Sequence, residues 1–125
     1  MKRTIFLLLA ILFPTAVHAS GLQPVKQDGI SYVSGGVGIE ERAEMKEMHR
    51  DFNLFMTFAR KSGAYLSDVK VSVSGEGRKF ETVTEGPFLF ASLPAGKYKI
   101  RAESDGSSQT RTVTLGRASE VFYWK

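Results

Sequence analysis

The sequence predicts a mainly β protein, a seven-stranded antiparallel β-sandwich with one N-terminal α-helix. From residue 53 onward the sequence contains seven short strand-like runs, and in several of them apolar and polar residues alternate, which is the period of a strand with one buried face. The runs begin about ten residues apart and are separated by glycine-, proline- and aspartate-containing turns, a spacing typical of antiparallel sandwiches. The helix is predicted upstream, where apolar residues recur near helical spacing.

The seven predicted strands cover residues 54–59, 69–74, 79–84, 88–91, 97–102, 110–115 and 120–124. The first is apolar on both faces, so we expect both of its faces to be covered. The second alternates valine with lysine and serine, the pattern of a half-buried strand. In the fifth, Tyr98, Ile100 and Ala102 are expected to point inward and the basic residues between them outward.

Upstream of these strands, residues 39–52 are predicted to form an amphipathic helix packed on the sandwich. Acidic residues lie in its first turns and Arg50 in its last, which suits the helix dipole. The apolar stripe consists of Ile39, Met45, Met48 and Phe52. Residues 20–38 are interpreted as an N-terminal arm and a glycine-rich linker, within which residues 30–33 have the composition of a short strand.

The most specific pattern is the segment 88–100, FLFASLPAGKYKI. A strand is followed by a leucine-proline-x-glycine turn and by a strand that opens with an aromatic residue, Tyr98. Proline fixes φ in such a turn and glycine allows the reversal. Residues 53–125 therefore resemble the transthyretin-like (prealbumin-like) module known as the carboxypeptidase regulatory-like domain. The resemblance implies a β-sandwich, and it does not imply peptidase activity, because no peptidase domain precedes the module.

The upstream segment adds a second resemblance. Gly35-Gly36-Val37-Gly38, followed by the glutamate-rich helix, is similar to a family of small exported proteobacterial proteins that carry the same elements before the sandwich and have no assigned activity. Neither resemblance names a ligand or a reaction.

The first residues have the three parts of a secretory signal peptide. Lys2 and Arg3 precede the apolar run 5–13, and Val17-His18-Ala19 is a small-residue cleavage site. The apolar run is far shorter than the roughly 20 residues that span a bilayer. We therefore predict cleavage after Ala19, a periplasmic location and no stable membrane span after cleavage.

Composition limits the classes of partner and chemistry. The chain has no cysteine, and residues 20–125 carry 15 basic and 13 acidic side chains. Thiol catalysis and disulfides are thereby excluded, and a weak net charge in an exported protein argues against nucleic acid as a partner. No cofactor is predicted.

Candidate catalytic and metal-binding groups are few. His49 is the only histidine after residue 19, and its neighbour Asp51 cannot form a relay with it on a helix. The transthyretin-like hydrolase of the ureide pathway needs several histidines, which this chain lacks. Glu40, Glu44 and Glu47 share a helix face and are better interpreted as solvated than as metal ligands. The glycine run before the helix is a weak phosphate-loop signal, because Glu40 and Glu41 would repel an anion there.

Two candidate binding surfaces remain. Lys97, Lys99 and Arg101 share the outer face of the fifth predicted strand, with Arg111 on the neighbouring strand. This row of cations is either a solvated face or a site for an anionic polysaccharide, a lipid headgroup or an acidic partner.

The second candidate is Phe122 and Trp124, which share one face of the last predicted strand. They are either exposed for contact with a protein or sugar, or covered by the arm or helix. The sequence thus predicts a non-catalytic binding or structural module of the cell envelope, with an envelope protein or a glycan as partner and strand addition as one mode of contact. A glycan- or small-anion-binding protein using the basic strand is the alternative, and a hydrolase with an unrecognised site is third.

Overall fold

The computed structural model describes residues 22–125, so the predicted signal peptide lies outside the described residues. These residues form nine strands and one α-helix. In chain order the elements are β1 Val25–Gln27, β2 Ile30–Gly35, α1 Gly38–Met48, β3 Leu54–Arg60, β4 Lys70–Gly75, β5 Arg78–Val83, β6 Phe88–Ser92, β7 Gly96–Ser104, β8 Ser107–Leu115 and β9 Ala118–Trp124. The mainly β prediction is confirmed, but the count of seven strands is wrong.

The two additional strands lie in the segment interpreted as an arm and linker. β1 and β2 form a hairpin through Asp28 and Gly29, which both have positive φ, as in the tight turns that join hairpin strands. β2 pairs with β6, and Ile30 is fully buried. Much of residues 20–38 is therefore part of a sheet, because an aspartate-glycine turn lets this short segment fold back on itself.

The strands form two sheets, in the orders β1-β2-β6-β3-β9 and β5-β4-β7-β8. All neighbouring pairs are antiparallel except β3 and β9, which run parallel. The all-antiparallel prediction is wrong at this pair. Gly116 and Arg117 carry the chain from β8 in one sheet to β9 in the other, and Ala118 then enters beside the start of β3, where its N–H donates to Asn53 O at 2.9 Å.

One hydrophobic core is shared by both sheets. The inward residues of β3 (Leu54, Met56 and Phe58) and of β7 (Tyr98, Ile100 and Ala102) belong to the same buried cluster. The alternation seen in the sequence therefore predicted the inward face of β7. Leu93, in the turn before β7, closes one end of this cluster.

The helix covers part of the outer face of the five-stranded sheet. Met45 is buried against Val33 and Phe90 in a second, smaller cluster that also includes Phe52 and Phe55. A 3-10 turn, His49–Asp51, links α1 to the approach of β3. Ile39 is 82% exposed, so its assignment to the apolar stripe is wrong; it lies at the first turn, before the helix reaches the sheet. Between residues 22 and 125, no helix has the length and apolar character needed to cross a membrane.

Candidate functional site

The two aromatic residues proposed as a surface contact, Phe122 and Trp124, lie in the core. Their exposed fractions are 0% and 7%. The parallel register places Phe122 beside Phe58, with ring centroids 5.5 Å apart, and Trp124 Nε1 donates to Ser107 O at 3.0 Å. The surface-contact hypothesis is therefore wrong at these residues. β8 of the opposite sheet contacts both, through Arg111 over the Phe122 ring and Ser107 bound to Trp124.

The intervening residues of β9 form the surface instead. Val121 and Tyr123 are 39% and 50% exposed. Exposing apolar surface to water is unfavourable in free energy. The two side chains point outward because a strand places successive side chains on opposite faces. The same register sets them beside Thr57 and Ala59 of β3.

Neighbouring strands extend this surface into an aromatic face. Thr57 is paired with Phe88 of β6, and Phe55 with Phe90. Tyr65 forms an isolated bridge with Ala59, is 51% exposed, and contacts Phe88 edge-on with centroids 5.6 Å apart. We define the aromatic face as the outward side chains of this region: Phe55, Thr57, Ala59, Tyr65, Phe88, Phe90, Val121 and Tyr123.

Helix α1 forms one wall of a shallow cavity on the aromatic face. The cavity has a volume of about 310 Å³, and its lining combines aromatic, basic and small polar residues: Arg42, Met45, Lys46, His49, Phe55, Thr57, Phe88, Phe90 and Ser119. Arg42 also lies over the Tyr65 ring, 5.2 Å from its centroid. The lining includes the cationic side chains of Arg42 and Lys46 and no carboxylate, so an anionic group there would have two nearby cations.

His49 and Arg117 fix one end of this cavity. The His49 ring stacks on Phe55 with centroids 3.8 Å apart, and Arg117 lies over Phe55 at 4.9 Å. The Arg117 guanidinium donates to His49 O and Phe52 O, both at 3.2 Å, and lies 2.9 Å from His49 Nδ1. A cation that binds the last carbonyls of a helix stabilises that end. His49, interpreted from sequence as a surface histidine, is exposed but held by these contacts.

The basic strand face is smaller than the sequence predicted. Lys97, Lys99 and Arg101 are exposed on the outer face of β7, as expected. Arg101 lies 3.5 Å from the carboxylate of Glu103, which offsets part of its charge. Arg111 does not belong to this face. It is paired in register with the buried Ile100, so it lies on the inner side of β8.

Arg111 instead closes the edge between β8 and β9. Its Nη1 donates to Glu120 Oε1 at 3.1 Å and to Val121 O at 2.6 Å, and the guanidinium lies 4.2 Å from the Phe122 centroid. Gln109 Nε2 donates to Tyr123 O at 2.7 Å. Two carbonyls of β9 that a new strand would need are thus already bound, which disfavours strand addition at this edge.

The β5 edge is closed in the same way from the β1–β2 hairpin. Gln27 Oε1 accepts from Glu81 N at 2.8 Å, and Gln27 Nε2 donates to Glu81 O at 3.1 Å. Asp28 Oδ2 accepts from Lys79 N at 3.0 Å. Side chains therefore protect both of these sheet edges from pairing.

The glycine run before α1, which resembled a phosphate loop, is occupied by a contact within the chain. The N–H groups of Gly36 and Val37, before α1, donate to Glu41 Oε1 at 3.0 and 3.1 Å, so a carboxylate of the same helix occupies the place where a phosphate would bind. Among residues 22–125, no three acidic or histidine side chains lie close enough together to hold a metal ion.

The Tyr98 phenol has a pKa above its ordinary value. Burial raises the pKa of the Tyr98 phenol, and nearby Glu76 raises it further, while Arg78 opposes both. The phenol donates to Pro94 O at 2.7 Å. It therefore holds the turn that precedes β7, and its place in the core gives it no access to a substrate.

The chain matches no protein-family model, and a search of curated proteins finds no match either. The residues themselves must therefore support any functional assignment. Sequence reasoning missed Tyr65, Tyr123, Arg42 and Arg117. Alternation along β9 puts Val121 and Tyr123 on the face opposite to Phe122 and Trp124, but it does not show which of the two faces the core.

Proposed function

We propose that residues 20–125 form a non-catalytic accessory module of the cell envelope, periplasmic after cleavage at Ala19, with a transthyretin-like β-sandwich fold. It acts by contact with a partner protein through the aromatic face. The observation that carries this proposal is the outward pair Val121 and Tyr123 on β9, 39% and 50% exposed, with the half-exposed Tyr65 on the other side of β3.

The composition of the aromatic face is that of a protein-binding surface. Tyrosine combines a large apolar ring with a polar tip, and such residues are enriched at the energetic centres of interfaces. The backbones of Tyr65 and Tyr123 lie on opposite sides of Ala59, roughly 10 Å apart at two strand spacings. Arg42 and Lys46 form a polar rim beside the apolar floor.

Site-specific photocrosslinking in the periplasm tests the proposal. A photoreactive amino acid at position 123 or 65 is expected to capture one discrete protein, and the same amino acid at Thr112, on the outer face of the other sheet, is not. The captured protein, once purified, is expected to lose affinity for Tyr123→Ser and not for Val83→Ser, which alters a half-exposed residue of the other sheet. Equal capture at Thr112, or equal affinity of the two variants, would refute the proposal.

Binding of an anionic glycan through the basic strand face is the second candidate. Lys97 and Lys99 are exposed and are paired in register with Thr114 and Thr112, which adds hydroxyl groups to the row. Retention on a sulfated polysaccharide resin would support this function if Lys99→Glu abolished it and Lys26→Glu did not. Retention that is equal in both variants would contradict it.

We propose no enzymatic activity. A hydrolase needs a nucleophile, a base and an oxyanion site within reach of one another, and His49 is engaged by Phe55 and Arg117. Turnover of ester or peptide substrates by purified protein, lost on His49→Ala, would overturn this part of the proposal.

A further inference from the structure

We propose that the aromatic face receives an amphipathic helix of the partner protein, with acidic residues along the flank that faces α1. This inference rests on the proposed function and names the shape and charge of the partner segment.

The space on the sheet fits one more helix. α1 packs over Val33 and Phe90, and His49 and Arg117 cover Phe55. The outward side chains that stay partly exposed beside it are Thr57 of β3 and Val121 and Tyr123 of β9. α1 lies over β2 and β6, so a helix over β3 and β9 would lie two strand spacings away, roughly 10 Å, close to the usual distance between the axes of packed helices. From Ser119 to Tyr123 the floor is about 13 Å long, which corresponds to roughly nine residues of helix.

The charges on the wall select an acidic partner. Arg42 and Lys46 lie one helical turn apart on α1, both are exposed, and neither forms an ion pair with another residue between 22 and 125. Carboxylates separated by three or four residues on a docked helix would lie at a matching spacing of about 6 Å. Complementary charge of this kind sets orientation and excludes wrong partners.

The same charges disfavour a second copy of the chain and a basic helix as binding partners of the aromatic face. A second copy of the chain would bring its own Arg42 and Lys46 toward this wall, which repels at short range. A basic helix would be repelled in the same way. An anionic membrane surface shares the charge preference but is flat, whereas the aromatic face is recessed beside α1.

Two synthetic peptides test the inference on the folded protein. Each has about 14 residues with leucines on one helical face; one carries glutamates on the flanks and the other carries lysines at the same positions. Fluorescence anisotropy measures affinity, and amide chemical shifts map the site. We expect the glutamate peptide to bind about ten-fold more tightly than the lysine peptide and to shift amides of α1, β3 and β9.

Matched variants separate the contributions of charge and apolar contact. Lys46→Glu and Tyr123→Ser are expected to weaken the glutamate peptide by about ten-fold each, while Lys99→Glu and Val83→Ser, on the other sheet, leave its affinity unchanged. Equal binding of both peptides, shifts confined to β7 and β8, or no binding at millimolar peptide would each overturn the inference.

Parallel measurements examine the other occupants. Sedimentation that reveals a dimer lost in Tyr123→Ser would assign the aromatic face to self-association. Flotation with phosphatidylglycerol vesicles without any peptide binding would assign it to a membrane. If crosslinking from position 123 succeeds while the glutamate peptide fails, the proposed function stands and only the chemistry of the partner is wrong.

Discussion

Replacing Arg111 by alanine is expected to destabilise the protein, because this side chain closes the edge between the two sheets. The charged hydrogen bond to Val121 O lies at an exposed edge, so we assign it the lower end of its range, about 1.5 kcal/mol. The ion pair with Glu120 is a third exposed and adds no more than about 0.5 kcal/mol. The stacking over Phe122 adds roughly 0.5 kcal/mol. The expected loss is therefore about 2–2.5 kcal/mol.

Thermal and urea unfolding measure this loss. For a domain of this size, about 2–2.5 kcal/mol corresponds to a fall in Tm of roughly 10 °C. The matched control is Arg101→Ala, whose side chain is 55% exposed and pairs only with Glu103; it should lower the free energy of unfolding by less than about 0.5 kcal/mol. If the two alanine variants were equally stable, Arg111 would not hold the edge. Its assignment to the inner side of β8 would then be wrong.

The remaining predictions concern the core, the end of α1 and the pH dependence of stability. Phe122→Ala should cost about 3–5 kcal/mol in urea unfolding, whereas Tyr123→Ala should cost less than about 0.5 kcal/mol; similar losses would contradict the assignment of the β9 faces. Arg117→Ala should cost about 1–2 kcal/mol and speed hydrogen exchange mainly in α1, so a uniform rise in exchange would count against a local role. The pKa of Tyr98 is raised above 10.0 in the folded state, so its contribution to stability is complete below that pH and is lost as pH rises through the folded pKa. Tyr98→Phe should flatten the decline in stability at alkaline pH, and an unchanged slope would show that Tyr98 does not cause it.

The strands of the core could be predicted because burial leaves a period of two in the sequence. All seven predicted strands from residue 54 onward overlap strands of the structure, and the inward side of β7 follows directly from Tyr98, Ile100 and Ala102. β1 was missed because it is short and its Val25 is half-exposed, so it carries no burial pattern. Only the aspartate-glycine turn marked that hairpin.

The candidate site was predicted less well than the fold, and Arg111 illustrates the reason. It has the same parity along β8 as the buried Val113 and Leu115, which was a signal that it faces inward. A cation on an inner face is improbable on composition alone. The partners that make it stable there, Glu120 and the carbonyl of Val121, come from β9, and sequence patterns do not show such contacts.

The sequence by itself determined that this chain has a mainly β fold and where most of its strands lie, since those features follow from the local alternation of apolar and polar residues. The tertiary structure decided which face of β9 is exposed. Phe122 with Trp124, and Val121 with Tyr123, both make apolar faces, so alternation alone cannot choose between them. The parallel register with β3 decides: it sets Phe122 beside the inward Phe58 and leaves Tyr123 outside beside Ala59, because paired residues in neighbouring strands point to the same side of a sheet.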